Sequence, residues 1–467
     1  MFLYYFLLIL SVFLYLISPN KVDQFIIYTE FIFFVITSAK LLRDDIRAKN
    51  WFSFNIIFSF AFFLTSYCFP VVILGASSLY DSFVELSTYS FNYINFDYIT
   101  KATGICTISY CVYCIAYSIG KNKYSIASSN QPEIKLSIPY GKCVKILIYV
   151  FVLEIGDIFY CVLSGGGSYD FNSFPFIFDI YPVIFAITLV SGLERVCMPK
   201  SPLGFYRSFK MPLLLSGAVV LLFLFFGERG NAITLVLITL AFYTFYYKRI
   251  SLRFLLLFSA IGVVLLFAIR ETRNKDTAMA RGGISGFVNA SSESISGLSP
   301  LLLFSDLIGA TQELCYGYET TQIDGLSYPS QIVLLPFYPF PKLPTLMSHL
   351  LYGKEPGELV GASILNEKMS SMTESAFGSH IVVDIYMRWG LLGIFIAFYA
   401  FGSIVALFYI NRYENCQKAV MFLLIMGMSL YISRSSITDL IRPMAYTYFF
   451  VSIFSMKPIK KRVVCIE

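Results

Sequence analysis

Charge is what this chain has least of. Only 14% of its 467 residues are Asp, Glu, Lys or Arg, where soluble domains carry about a quarter. With so few charges a soluble chain of this length could not clothe the surfaces of the two or three domains it would need. Histidine and tryptophan occur twice each. Glycine-rich phosphate loops of the GxxxxGKS or strand-borne GxGxxG kind are missing, as are HExxH and GxSxG. That removes nucleotide-binding folds, zinc hydrolases and nucleophile-elbow hydrolases. The net charge of +6 is no sign of nucleic acid, because the excess is confined to short connecting segments. No internal repeat and no inverted symmetry between halves is visible, which counts against a transporter built from repeated bundles.

What is present is apolar sequence: 57% of residues are hydrophobic, with 47 Phe and 34 Tyr. The apolar residues form continuous runs of bilayer-crossing length, not the two-residue alternation of a membrane β-barrel. Lipid leaves backbone groups no partner but each other, so such runs predict helices. The expected fold is an all-α polytopic membrane protein of about twelve transmembrane helices. The spans fall near 2–18, 24–41, 52–77, 99–119, 144–164, 176–193, 211–227, 230–247, 254–269, 387–411, 418–433 and 443–457. The first run lacks the basic leader and A-x-A site of a cleaved signal peptide, and is expected to be retained.

Lys and Arg set the orientation. The segments 40–49, 121–142, 194–210, 247–253, 411–418 and the tail 457–462 are basic, and with twelve spans they all fall on one side. Both termini are then cytoplasmic. The opposite connections hold single cations such as Lys21, Lys101 and Arg229. Domain organisation follows: residues 1–269 carry nine spans, 270–386 form one large outer loop with short amphipathic helices, and 387–467 carry three spans and a basic tail. A loop of that length is too long for an idle connector. Within it, LSPLLLFSDLIGATQEL (298–314) is expected to lie on the membrane, and LLPFYPFPKLP (334–344) is proline-rich. Ten cysteines sit in spans or on the cytoplasmic side apart from Cys315, so no structural disulfide is expected. Cys106, Cys111 and Cys114 have no zinc-like spacing to a partner.

Ionisable residues inside spans are costly and point to function or pairing. Glu30, Glu154, Asp157 and Asp179 lie toward the outer half of the bundle, as partners of outer arginines or as acids that meet a substrate. The outer arginines are Arg229, Arg270, Arg273, Arg281, Arg388, Arg434 and Arg442. Each alone reads as an interfacial side chain that snorkels to water. Together they suit an anion, because arginine stays charged and grips phosphate with two parallel hydrogen bonds. Arg229 stands in GERGN (227–231), a turn between two apolar runs whose flanking glycines allow close approach of a ligand. Were the next helix to begin early, His380, Asp384 and Arg388 would share one face. That stripe serves equally as a catalytic acid–base set or a polar helix start.

The layout resembles the Wzy-type O-antigen polymerases, or oligosaccharide repeat unit polymerases. The likeness rests on five features. These are a multi-span chain with one large outer loop before the last three helices; the GERGN turn; prolines with Lys342 in the loop; Asp384, Tyr386, Gly390 and Gly393 in SHIVVDIYMRWGLLG; and the arginine-bearing turn SRSSITDLIRP. Family members more usually have Glu where Asp384 stands. The resemblance implies an inner-membrane glycosyltransferase that needs no metal or cofactor and whose site faces the periplasm. It would move a growing glycan from undecaprenyl diphosphate to the non-reducing end of the next lipid-linked repeat unit. Its partners would be that lipid-linked oligosaccharide, membrane lipids and a chain-length regulator, with no nucleic acid. On this reading Arg229, Arg270, Arg273, Arg434 and Arg442 contact the diphosphate and Tyr386 the glycan. His380, Asp384 and Glu228 are the candidate bases. The alternatives are a lipid-linked oligosaccharide flippase, an O-antigen ligase, and a non-enzymatic polysaccharide assembly component.

Overall fold

A computed structural model of the chain describes residues 1–75, 96–127, 139–163, 175–193, 202–225, 229–260, 262, 304–326, 333–337, 340, 342–359, 364–365 and 380–454. Among these residues all regular structure is helical and there is no strand. The helices are α1 (Phe2–Ile17), α2 (Gln24–Arg47), α3 (Phe54–Ser66), α4 (Ile99–Ala127), α5 (Tyr140–Leu163) and α6 (Pro175–Ser191). Then come α7 (Pro202–Ser208), α8 (Lys210–Phe225), α9 (Arg229–Tyr246), α10 (252–260), α11 (Ser305–Ile308) and α12 (Ala310–Asp324). The last four are α13 (Leu343–Tyr352), α14 (Ile381–Ile410), α15 (Cys416–Met428) and α16 (Ile437–Phe454).

Every apolar run expected to span the membrane overlaps one of these helices among the described residues, the run 52–77 continuing past α3 in a π-helical turn and the run 254–269 described only in part. Among the described residues three helices, at Gln24–Arg47, Phe96–Tyr124 and Ile381–Ile410, are long and apolar enough to cross a membrane; the pair Pro202–Ser208 and Lys210–Leu224, bent by 88°, adds a fourth if it is one span.

Two compact units divide the chain. The first comprises residues 1–129, 304–410 and 429–442. Its centre is α4, which packs on α1, α2 and α14. A central helix must satisfy its polar groups locally, and α4 does: Thr103, Thr107 and Ser109 each donate to a carbonyl four residues back, at 2.8, 3.2 and 2.8 Å. Small residues then let the backbones close up. A Cβ on Gly402 of α14 would lie 2.5 Å from the Tyr113 carbonyl oxygen of α4. Around them Phe34, Phe58, Phe62, Tyr67, Tyr110, Tyr113 and Phe401 form an aromatic core. Its polar tips are met: Tyr113 donates to Asn55 at 2.6 Å, and the Tyr67 and Thr107 hydroxyls bond at 2.8 Å.

The segment expected to lie on the membrane behaves differently. Its start, 298–303, lies outside the described residues. Its end belongs to α11 and α12, and α12 is buried from Ala310 to Cys315 and again at Gly317, Tyr318, Thr320 and Thr321, packed on α3, α4 and α14. It is anchored at the end of α3. There α3 gives way to a π-helical turn, Cys68–Ile73, containing Pro70, and Thr311 of α12 donates its hydroxyl to the Thr65 carbonyl at 2.8 Å. Short helical irregularities of this kind free backbone acceptors for outside donors.

The second unit comprises 130–303, 411–428 and 443–467. Here α6 packs on α5 and α15, and α9 packs on α8 and α15. Arg412 lies over the rings of Tyr413, Phe245 and Phe422, and its carbonyl accepts from Tyr246 at 3.0 Å.

Candidate functional site

The polar site of the first unit is built at the start of α14. That helix begins at Ile381, six residues ahead of the expected span boundary at 387, so the His380–Asp384–Arg388 stripe lies on its first turns. His380 precedes the helix and is fully buried. Its carbonyl accepts the Asp384 N–H at 2.9 Å. Its Nδ1 accepts the Val382 N–H at 3.3 Å, meeting one of the donors every helix start leaves open. With Nδ1 accepting, a neutral ring carries its proton on Nε2, which faces the Ser66 hydroxyl at 3.2 Å.

One turn on, Arg388 reaches back to Asp384. Its Nε and Nη2 both donate to Asp384 Oδ1, at 3.3 and 3.2 Å, and Nη2 also donates to the Leu359 carbonyl at 2.6 Å. Both side chains are almost wholly buried, at 3% and 2% exposure. The second Asp384 oxygen, Oδ2, accepts from Ser436 Oγ at 2.9 Å. Ser436 precedes α16, and its N–H bonds Asp439 Oδ2 at 3.1 Å. This is the backbone half of a capping box, and the serine hydroxyl donates to Asp384.

The same helix contributes one member of a tyrosine cluster. Tyr386 is 7% exposed. Its ring stacks on Tyr318 of α12 at 5.3 Å, and its hydroxyl bonds that of Tyr15 in α1 at 2.9 Å. Tyr15 also reaches the Tyr318 hydroxyl at 3.3 Å. Burial raises the neighbouring Glu319 carboxyl above its ordinary value, and nearby Asp97 raises it further.

The expected site residues are divided between the two units. His380, Asp384, Tyr386, Arg434 and Arg442 belong to the first unit, and Arg229 to the second. Arg434 closes the short turn Ile432–Arg434, Arg442 lies within α16, and both are half-buried. Arg229 is the first residue of α9, also half-buried. Glu228, Arg270 and Arg273 lie outside the described residues. Of the acids in apolar runs, Glu30 meets a serine: its Oε2 accepts from Ser11 Oγ at 2.7 Å. Glu154 and Asp157 are buried on α5, and the Asp179 side chain lies outside the described set.

Ser436, Ser66, Tyr15, Tyr318 and the Leu359 carbonyl were not foreseen. Only Ser436 left a trace, in the spacing Ser436–x–x–Asp439 before an apolar run. Among the described residues no group of His, Cys, Asp and Glu could hold a metal ion. The seven described cysteines, Cys315 included, are free and buried. Comparison with family models, curated proteins and solved structures finds no match to this chain.

Proposed function

We propose that the protein is a polytopic inner-membrane glycosyltransferase of the O-antigen polymerase type. Its twelve spans leave both termini in the cytoplasm and the loop 270–386 in the periplasm. It transfers a growing glycan from undecaprenyl diphosphate to the non-reducing end of the next lipid-linked repeat unit. The observation that carries this reading is the Ser436–Asp384 hydrogen bond. The two segments that bear the family-like pattern, 379–393 and 433–443, meet there although they lie far apart in sequence. An arginine-bearing turn is thereby fastened beside the acid–x–Tyr run, which suits a site that must hold an anionic leaving group.

The chemistry asks for little more. The bond that breaks joins an anomeric carbon to diphosphate, and charge gathers on the departing diphosphate as it does so. Preorganised guanidinium groups stabilise that charge most in the transition state. Arg229, Arg270, Arg273, Arg434 and Arg442 are the proposed contacts. The attacking sugar hydroxyl needs a base within hydrogen-bond reach.

Two measurements test the reading. Lipopolysaccharide from a deletion strain should keep one repeat unit on its core; bare core would point to a flippase or a ligase instead. Arg229→Ala should abolish long-chain polymer while the protein still inserts at its normal level. Normal polymer from that variant would remove Arg229, and with it the diphosphate assignment.

A further inference from the structure

We propose that Asp384 is a positioning residue and not the catalytic base: it fixes the turn that carries Arg434 and so presents that guanidinium to the diphosphate. This rests on the glycosyltransferase reading above. A base needs a path to the acceptor hydroxyl. Asp384 is 1% exposed. Oδ1 already receives two N–H groups of Arg388, and Oδ2 receives the Ser436 hydroxyl. A carboxylate so held is an anchor.

What it anchors is specific. Ser436 stands at the cap position of α16, with its N–H on Asp439 Oδ2 and its hydroxyl donated across to Asp384. Arg434 is two residues upstream, in a turn closed by its own N–H to the Tyr431 carbonyl at 2.8 Å and by Ser435 Oγ to the Ile432 carbonyl at 3.1 Å. A turn this short transmits the placement of Ser436 directly to Arg434. Arg388 holds the opposite side, tying Asp384 to the Leu359 carbonyl at the end of the turn Pro356–Leu359. Three segments of the chain thus converge on one carboxylate, and the arginine turn is one of them.

The test uses full-length protein in lipid vesicles with an undecaprenyl-diphosphate-linked repeat unit, and compares wild type with Ser436→Ala, Ser436→Thr, Asp384→Asn and Arg434→Ala. Ser436→Ala should raise the KM for the donor about tenfold, the scale of one hydrogen bond to a charged group. Its kcat and pH profile should stay as in the parent. Ser436→Thr, which keeps the hydroxyl, should restore KM. Asp384→Asn should follow Ser436→Ala in kind, with the acid limb of the pH profile intact. A loss of kcat of about 10²–10⁴ in Asp384→Asn, with that limb abolished and Ser436→Ala normal, would make Asp384 the base and overturn the proposal.

A second readout separates this idea from the enzymatic reading. Inorganic pyrophosphate should raise the unfolding temperature of wild type, less so in Ser436→Ala and Asp384→Asn, and not in Arg434→Ala. If wild type makes no polymer but shows this pattern, the polymerase reading fails and the positioning role stands. If wild type shows no pyrophosphate shift, the positioning role fails whatever its activity.

Discussion

Replacing Gly390 by alanine should destabilise the protein, although alanine is the better helix former. In the middle of α14 the backbone of Gly390 has φ 59° and ψ −152°. That conformation is essentially reserved for glycine, and a side chain forced into it costs about 1–3 kcal/mol. Space is not the obstacle. A Cβ there would meet only the Leu326 methyls, at 3.7 and 3.8 Å, which is ordinary contact. The cost is backbone strain alone, so it cannot be relieved by a neighbour moving aside. Were residue 390 an ordinary helical glycine, the same substitution would stabilise by about 0.5–1 kcal/mol. The two accounts thus differ in sign.

Unfolding of purified Gly390→Ala in detergent, followed by heat or denaturant against the parent, is the assay. A lower stability, with Asp384-dependent donor binding also weakened, is the expected result. A variant as stable as the parent or more so would mean that α14 is one continuous helix.

Two further outcomes can be read from the first unit. Ser11→Ala takes from Glu30 the donor at its Oε2 and should cost about 1–3 kcal/mol, the price of leaving a buried acceptor unmet; an unchanged unfolding midpoint would mean that another group serves Glu30. Glu319→Gln should stabilise at pH 7.5 but not at pH 4. Burial raises the Glu319 carboxyl in the folded protein, so its contribution is whole below the unfolded value of about 4.3 and is lost as pH rises through the folded one. Equal stability differences at the two pH values would show that Glu319 is solvated like an ordinary surface acid.

The helices were legible because each apolar run is continuous and long, and no competing structure satisfies a backbone in lipid. The Asp384–Arg388 pair was legible too, since four residues is the spacing at which helical side chains meet. Ser436 was not, because its contact with Asp384 spans two separate helices and leaves only a cap motif in the sequence. The burial of α12 was hidden for another reason. ATQELCYGYETTQID reads as polar, yet it is enclosed by α3, α4 and α14, and its threonines satisfy themselves or neighbouring carbonyls: Thr311 on Thr65, and Thr321 on Gly317 at 2.8 Å. Composition reports what a side chain prefers, while local hydrogen bonds decide what it tolerates. The break at Gly390 was hidden because a glycine within an apolar run is compatible with a continuous helix.

That break also explains how a buried ion pair persists at the end of an apolar span. An unbroken helix over 381–410 would be about 45 Å long, well beyond the hydrocarbon core of about 30 Å. Residues 391–410 alone match that core and contain no Asp, Glu, Lys or Arg. Residues 381–389, on the other side of the break, hold Asp384 and Arg388. Taking both charges out of water is costly, and a buried pair is weak evidence for stability. Its geometry offsets the cost by leaving no partner single: two guanidinium bonds, one serine hydroxyl and one main-chain carbonyl close the network. Such a network contributes register more than energy. It admits one arrangement of α14, the turn before α16 and the chain at Leu359.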